Sequence, residues 1–126
     1  MIDHISVQVR DPAVSAAFYD RLLATLGGKR MIERNDGEVI GYGTTHPTFW
    51  IGPATIDEGE AAHELHIAFA SADRAGVRAF HAAAVEAGAE VLHEPRVWPV
   101  YHPAYYGAFV RDPDGNNVEA VCHVPE

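Results

Sequence analysis

Two histidines and one glutamate are the side chains of this 126-residue chain whose types and positions best fit metal chemistry. His4 and His66 stand at the start of two similar segments, and Glu119 lies in an apolar stretch near the C-terminus. Two imidazoles and a carboxylate are the ligand set of open Fe(II) sites and of catalytic zinc sites, which keep positions for water or substrate. Either histidine taken alone would more often be a structural or surface residue.

An internal repeat relates the two histidines. Residues 3–20 align with residues 65–82 at a constant offset of 62. The identical pairs are His4 and His66, Ile5 and Ile67, Asp11 and Asp73, Ala17 and Ala79, and Phe18 and Phe80. Duplication explains these identities better than chance, because the two segments also share one periodicity. We therefore expect a single domain over residues 1–126, with modules at about 1–53 and 64–123 and a connector at about 54–63.

Each module is predicted to contain one strand, one helix and three further strands. Apolar residues alternate with polar ones from His4 to Val9, which is typical of a strand buried on one face. Asp11 and Asp73 are the predicted N-caps of the two helices, which end at glycines. The remaining strands are predicted at about 29–33, 38–43, 48–52, 90–94, 106–111 and 117–123. The order βαβββ, twice, predicts an α+β fold.

Strand alternation decides which side chains can share a face. If the apolar side of each first strand packs on its helix, then His4 and His66 point to the opposite side of the sheet. In the last strand Glu119 falls on the opposite face to Cys122, which is expected to be small and buried. The two histidines and Glu119 are thus able to share one concave surface.

Composition excludes several classes of protein. Eighteen acidic residues against nine basic ones give a net charge of −9, and phosphate neutralisation requires clustered Lys and Arg, so no nucleic-acid partner is expected. The single cysteine, Cys122, makes an internal disulfide impossible and suits a reducing compartment. No signal peptide or run of about 18 apolar residues is present, so we expect a soluble, cytoplasmic protein with no membrane partner.

The paired modules, the two histidines and the segment GAFVRDPDGNNVE at residues 107–119 resemble the vicinal oxygen chelate superfamily. That superfamily includes glyoxalase I, bleomycin-resistance proteins and extradiol dioxygenases. The resemblance implies a cupped mixed sheet, the glyoxalase/bleomycin resistance/dihydroxybiphenyl dioxygenase fold, around a divalent metal. It also implies that His4, His66 and Glu119 are the metal ligands. The metal could be Fe²⁺, Zn²⁺, Mn²⁺ or Ni²⁺.

One stretch departs from the glyoxalase I pattern. Glyoxalase I and several relatives have a fourth ligand, usually Glu, on the last strand of the first module. Here that stretch is Thr48, Phe49, Trp50 and Ile51, with Trp50 near the ligand position and no carboxylate. A three-ligand site is closer to the dioxygenase-like arrangement, and the base used in glyoxalase-type proton transfer is missing. We therefore do not expect methylglyoxal chemistry.

Aromatic and polar residues are candidates to line a substrate pocket. The predicted substrate-binding residues are Ser6, Gln8, Phe49, Trp50, Tyr101, Tyr105 and Tyr106. His102 and Tyr105 are weak candidates for catalysis. Core packing is the alternative for Phe49 and Trp50, a strand position for Tyr105 and Tyr106, and a solvated loop for His102. The remaining histidines at positions 46, 63, 81 and 93 are assigned to the surface.

Two functions remain open. The first is a small metal-dependent enzyme that acts on an oxygen-bearing small molecule by lyase, isomerase or dioxygenase chemistry. The alternative is a metal-free binding protein of the bleomycin-resistance type, in which the same cup holds a ligand in an aromatic groove. The resemblance further implies a homodimer, with the cup formed either within one chain or by modules exchanged between chains.

Overall fold

The computed structural model describes residues 2–54 and 64–126, so nearly all of the predicted connector lies outside the described residues. The first module contains β1 (Ile5–Val9), α1 (Pro12–Ala24), β2 (Lys29–Arg34), β3 (Val39–Gly43) and β4 (Pro47–Pro53). The second contains β5 (His66–Ala70), α2 (Arg74–Glu86), β6 (Val91–Val97), β7 (Tyr106–Arg111) and β8 (Asn117–Cys122). The predicted pair of βαβββ modules is confirmed.

Each module forms its own four-stranded mixed sheet. The strand orders are β1-β4-β3-β2 and β5-β8-β7-β6, and the first strand of each module runs parallel to the last. The first strand of each module is therefore an edge strand. β6 continues beyond its predicted end through Pro95, and its pairing with β7 shifts register between His93 and Arg96. Proline is accommodated there because it sits at an irregularity on an outer strand.

Both helices begin where the sequence predicts, and α2 ends just before Gly88 as expected, whereas α1 already ends at Ala24, with a turn leading to Gly27. The side chain of Asp11 accepts hydrogen bonds from the backbone N–H groups of Ala13 and Val14, and Asp73 accepts one from Gly76. Beyond the helix ends, Gly27 and Gly88 adopt positive φ angles of 79° and 76°, which glycine reaches without steric cost. Among the described residues, neither helix nor any other is long and apolar enough to cross a membrane.

The core lies between each sheet and its helix. It combines Val7, Val9, Leu22, Ile40 and Ile51 of the first module with Val77, Phe80, Val110, Val118 and Cys122 of the second. Phe49 links the two halves, because its ring lies 4.8 Å from that of Tyr19 and 5.1 Å from that of Phe69. The helices α1 and α2 also contact each other, so the modules of one chain are joined on their helix sides.

The turn between β7 and β8 fastens the second module to the first. Buried Asp112 accepts a hydrogen bond of 2.7 Å from the phenol of Tyr19 in α1. Asp114 accepts from the backbone N–H of Arg10 and from the hydroxyl of Ser15. Burial and the neighbouring Asp112 raise the pKa of Tyr19 well above its usual range, so the phenol remains a donor. The predicted turn is thus also a joint between modules.

Candidate metal and substrate site

A buried carboxylate stands at the centre of the open face of the second sheet, the face turned away from α2. Glu119 in β8 is 1% exposed, and both of its oxygens have partners. Oε2 lies 2.9 Å from Nε2 of His66, and Oε1 accepts a hydrogen bond of 2.5 Å from the phenol of Tyr105. Gly107 provides the space, because a Cβ at that position would stand 2.9 Å from Oε1.

In His66 and Glu119, two atoms of the kind that bind metals, Nε2 and Oε2, lie next to each other. β5 and β8 pair in parallel, and Ala68 lies opposite Glu119, which places His66 two residues away on the same face. The imidazole side chain is 53% exposed, whereas the carboxylate is buried, so one side of the pair opens to solvent. An imidazole nitrogen and a carboxylate oxygen are the donor types that divalent transition metals take. The pair fits two positions of a metal site.

His4 does not join this pair. It precedes β1 on the first module, its side chain is 56% exposed, and its Nδ1 lies 2.6 Å from the carboxylate of Asp3. Within residues 2–54 and 64–126 no three His, Cys, Asp or Glu side chains are grouped closely enough to hold a metal. Because the modules are joined on their helix sides, the open faces that carry His4 and His66 belong to separate sheets. The three predicted ligands are therefore divided between two surfaces of one chain.

The open face of the first sheet carries three of the predicted lining residues. Ser6 pairs with Trp50, and Gln8 follows two residues later on the same face. The indole of Trp50 covers Gly41, where a Cβ would meet the ring at 2.9 Å. Ser6 and Gln8 are exposed. This face offers polar groups beside one large aromatic ring.

An aromatic wall borders the pair of His66 and Glu119 on the second sheet. The ring of Trp98 lies 5.2 Å from Phe109 and 6.1 Å from Tyr101, and its indole N–H donates to the carbonyl of Gly107. The Phe109 ring lies 5.9 Å from that of His66. The wall thus reaches from the loop after β6 to the candidate ligand pair.

His93 is exposed, as predicted, and its ring also belongs to this wall. Its ring lies 4.8 Å from that of Trp98 and 5.6 Å from that of Phe109. The pairing of His93 with Phe109 across β6 and β7 places both on the open face. Val91 pairs with core residue Val110, and a register shift between Val91 and His93 turns His93 to the open face. Simple alternation along β6 would have placed it on the helix side.

The two candidates for catalysis occupy different places. Tyr105 touches Glu119, and burial together with that hydrogen bond raises the pKa of its phenol above the usual range, so the phenol stays protonated and donates a hydrogen bond to the carboxylate. His102 pairs instead with His123, at 2.7 Å between Nε2 and Nδ1. The backbone N–H of Ala104 donates to Nδ1 of His102 and fixes the ring. His102 therefore flanks Tyr105 without reaching the carboxylate.

Two of the predicted lining residues lie on the helix side of their sheets. Phe49 is 4% exposed and belongs to the core, as its alternative reading has it. Tyr106 packs against the core, with the guanidinium of Arg74 in α2 4.9 Å from its ring centre. Strand alternation accounts for both positions, since Phe49 precedes Trp50 and Tyr106 follows Tyr105. Only one residue of each neighbouring pair can face the site.

Two βαβββ modules with a histidine and carboxylate pair on an open face define the architecture of the vicinal oxygen chelate superfamily. A family model described as a glyoxalase-like domain matches residues 4–121, and the chain belongs to this family. No curated protein matches the chain.

Solved structures are similar to nearly the whole chain, among them three from different organisms. A glyoxalase/bleomycin resistance protein from Albidiferax ferrireducens T118 is 31% identical with a TM-score of 0.80, covering 95% of this chain and 97% of its own. A lactoylglutathione lyase from Agrobacterium tumefaciens is 20% identical with a TM-score of 0.70, covering 97% and 92%. A glyoxalase/bleomycin resistance protein/dioxygenase family enzyme from Burkholderia phytofirmans PsJN is 17% identical with a TM-score of 0.73, covering 98% of each. The last two support the fold alone.

Proposed function

We propose that this protein is a small metal-dependent enzyme whose site forms between two copies of the chain. His66 and Glu119 of one copy and His4 of the other would hold a divalent metal in a shared cup. The observation that carries the proposal is the 2.9 Å contact between His66 and Glu119 on an open face, while His4 stands on the open face of the other module. A second copy brings the two kinds of open face together.

The edge strands favour such a pairing. β1 and β5 each have a neighbour on one side only, and unpaired strand edges are sites of association. Apolar side chains stand exposed beside both edges, with Ile5 at 40%, Leu65 at 40% and Ile2 at 81%. We infer a homodimer with exchanged modules, in which β1 of one copy lies beside β5 of the other. Such an interface is isologous, so it produces two identical cups.

The chemistry follows from the ligand set. A bound divalent metal would act as a Lewis acid on the oxygens of a small-molecule substrate. Tyr105 holds one oxygen of Glu119 and thereby orients the carboxylate, and the aromatic wall lies on one side of the site. Trp50 occupies the open face of the first module where glyoxalase I would supply a carboxylate base. We therefore propose lyase, isomerase or dioxygenase chemistry that does not need that base.

Mixing two inactive variants tests the exchanged cup. His4→Ala and Glu119→Ala would each abolish high-affinity metal binding as purified homodimers. After the two are unfolded together and refolded, half of the dimers are mixed, and each mixed dimer has one intact cup. About a quarter of the sites would then bind metal, because subunits assort at random in a symmetric dimer. Elemental analysis of protein prepared without chelator gives the reference occupancy.

The outcomes separate the alternatives. No recovery on mixing, with metal bound by the unmodified protein, would place the cup within one chain and contradict the exchange. No metal in the unmodified protein after dialysis against Zn²⁺, Fe²⁺, Mn²⁺ or Ni²⁺ would remove the enzyme proposal itself.

A metal-free binding protein is the second candidate, and one observation favours it. Both oxygens of Glu119 already have partners in His66 and Tyr105, so the carboxylate is satisfied without an ion. In this function the wall around Trp98 would hold a planar ligand. Ligand affinity that is unchanged by chelator treatment and by Glu119→Gln would support this candidate over the enzyme.

A further inference from the structure

The repeat that relates His4 to His66 also relates two arginines. Arg34 and Arg96 are separated by the same 62 residues, and they lie near the ends of equivalent strands, β2 and β6. Each guanidinium lies over a tryptophan ring. Cζ of Arg34 is 5.6 Å from the ring centre of Trp50, and Cζ of Arg96 is 3.7 Å from that of Trp98.

The first arginine lies on the open face of its sheet. Arg34 pairs with Val39 in β3, and Val39 shares a face with Gly41, two residues on. Gly41 lies directly beneath the indole of Trp50. Arg34 is therefore on the face that carries Ser6 and Trp50.

The second arginine lies on the open face of the second sheet, which also carries the candidate ligand pair. Arg96 pairs with Gly107 in β7, and the side of Gly107 where a Cβ would project faces Oε1 of Glu119. Directly opposed residues in an antiparallel pair project to the same face. Contacts run from Arg96 through Trp98 and Phe109 to His66, so the arginine stands at the far end of the aromatic wall.

Neither arginine is neutralised within residues 2–54 and 64–126. Ion pairs hold Arg30 to Asp20 at 2.7 Å and Arg111 to Glu64, but the described carboxylates form none with Arg34 or Arg96. The chain has twice as many acidic as basic residues, which makes an unpaired arginine on each open face notable. A guanidinium over an aromatic ring makes no hydrogen bond to it, so its N–H groups remain available to bind a planar oxyanion in bidentate fashion.

We propose that Arg34 and Arg96 bind oxyanion groups, carboxylate or phosphate, of the molecule that occupies the cup. That both arginines act on one ligand rests on the proposed function, because only the exchanged pairing brings the two open faces together. Binding of a single oxyanion by each arginine does not depend on that pairing. The ligand class is then a small organic molecule with two anionic groups.

The two tryptophans of the chain report on the two arginines separately. Trp50→Phe leaves Trp98 as the only indole, and Trp98→Phe leaves Trp50, while each keeps an aromatic ring beneath its arginine. Fluorescence of each variant is titrated with acetate, succinate and inorganic phosphate, in metal-free protein and again with Zn²⁺. Succinamide is the uncharged control. Comparison of acetate with inorganic phosphate shows whether the arginines prefer a carboxylate or a phosphate group.

We expect both indoles to respond to an anion and neither to respond to succinamide. Succinate should bind more tightly than acetate. Once one carboxylate of succinate is bound to one arginine, the other carboxylate is present at high effective concentration near the second arginine. Arg34→Gln and Arg96→Gln should each weaken succinate binding about tenfold, as expected for loss of one exposed charge-assisted contact. The matched control is Arg78→Gln, an exposed arginine of α2 that should leave the affinity unchanged.

Three outcomes would overturn the proposal or its parts. If no anion changes the fluorescence at millimolar concentration, or if Arg78→Gln weakens binding as much as the other two variants, the arginines are not anion sites. If succinate binds no better than acetate, the two arginines do not share one ligand. Anion binding that persists in a protein unable to bind metal would retain this inference and reject the enzyme proposal. Metal binding without anion binding would reject this inference and leave the enzyme proposal standing.

Discussion

The phenol of Tyr105 donates a hydrogen bond of 2.5 Å to Oε1 of Glu119, so the buried carboxylate on the open face is held by a residue from the loop before β7. His66 holds the other oxygen. A loop side chain thereby determines how a strand residue is presented to the site. Tyr105 acts as a positioning residue for Glu119.

Replacing Tyr105 by Phe should weaken metal binding by about tenfold, since loss of a partner behind a metal ligand typically has this effect. The affinity for Zn²⁺ is measured by competition with a chromogenic chelator. Tyr101→Phe is the control, because that side chain is exposed and belongs to the wall rather than to the carboxylate. Equal affinities for the two variants would contradict the positioning role.

Adding a methyl group at Gly107 should disturb the site without unfolding the sheet. The new Cβ of Gly107→Ala would stand 2.9 Å from Oε1 of Glu119 and 3.3 Å from the ring of Tyr105, so the carboxylate must move. We expect metal affinity to fall by tenfold or more on the scale of ligand-orientation effects. Gly52→Ala is the matched control, since its Cβ would meet only Val39, at an ordinary 3.5 Å. A normal metal affinity in Gly107→Ala would show that the carboxylate does not bind the ion.

Removing the phenolic oxygen of Tyr19 should loosen the joint between the modules. Tyr19→Phe leaves buried Asp112 with its bonds from Asp114 and Asn116 but without the donor from α1. A hydrogen bond to a charged group contributes about 1.5–3 kcal/mol to the free energy of unfolding. Urea denaturation of Tyr19→Phe beside Tyr101→Phe measures the difference. A loss no greater in the first variant than in the second would contradict the role of this contact.

Stability should decline at alkaline pH because of two buried tyrosines. Burial and Asp112 raise the pKa of Tyr19, and burial and Asp20 raise that of Tyr42, whereas tyrosines of the unfolded chain ionise near pH 10. Above about pH 10 the folded state binds more protons than the unfolded state, so the free energy of unfolding falls as pH rises. Below that pH the contribution is fully present.

The variant that lacks both hydroxyls, Tyr19→Phe with Tyr42→Phe, should therefore show a flatter decline. Denaturation curves between neutral pH and pH 11 provide the comparison. A decline as steep as that of the unmodified protein would mean that other groups cause it.

The repeat and the alternation of apolar residues were sufficient to predict the fold. Asp11 and Asp73 mark the helix starts because a capping side chain and the helix it begins are local in sequence. His66 and Glu119 were also assigned correctly to one face, since strand parity is preserved along parallel neighbours. These features depend on short-range geometry, which a sequence records directly.

Other features depend on how separate elements meet. The separation of His4 from the other two proposed ligands follows from the helix-side packing of the modules, in which α1 contacts α2, and no local pattern encodes it. Phe49 and Trp50 are adjacent in β4, so only one of them can face the site. A shift of one residue in the strand register would exchange the core face for the open face. Arg34 and Arg96 lie outside the aligned segments 3–20 and 65–82, and their contacts with Trp50 and Trp98 depend on how neighbouring chain segments meet.

The turn at Asp112 to Gly115 carries the most recognisable sequence of the chain, yet its side chains reach into α1 and not into the cup. What it preserves is the joint between two halves. Its contacts therefore serve the architecture of the chain rather than the candidate metal and substrate site. The wall around Trp98 and the arginine over its ring make none of the contacts of this joint, so substitutions there should leave the assembly of the chain intact.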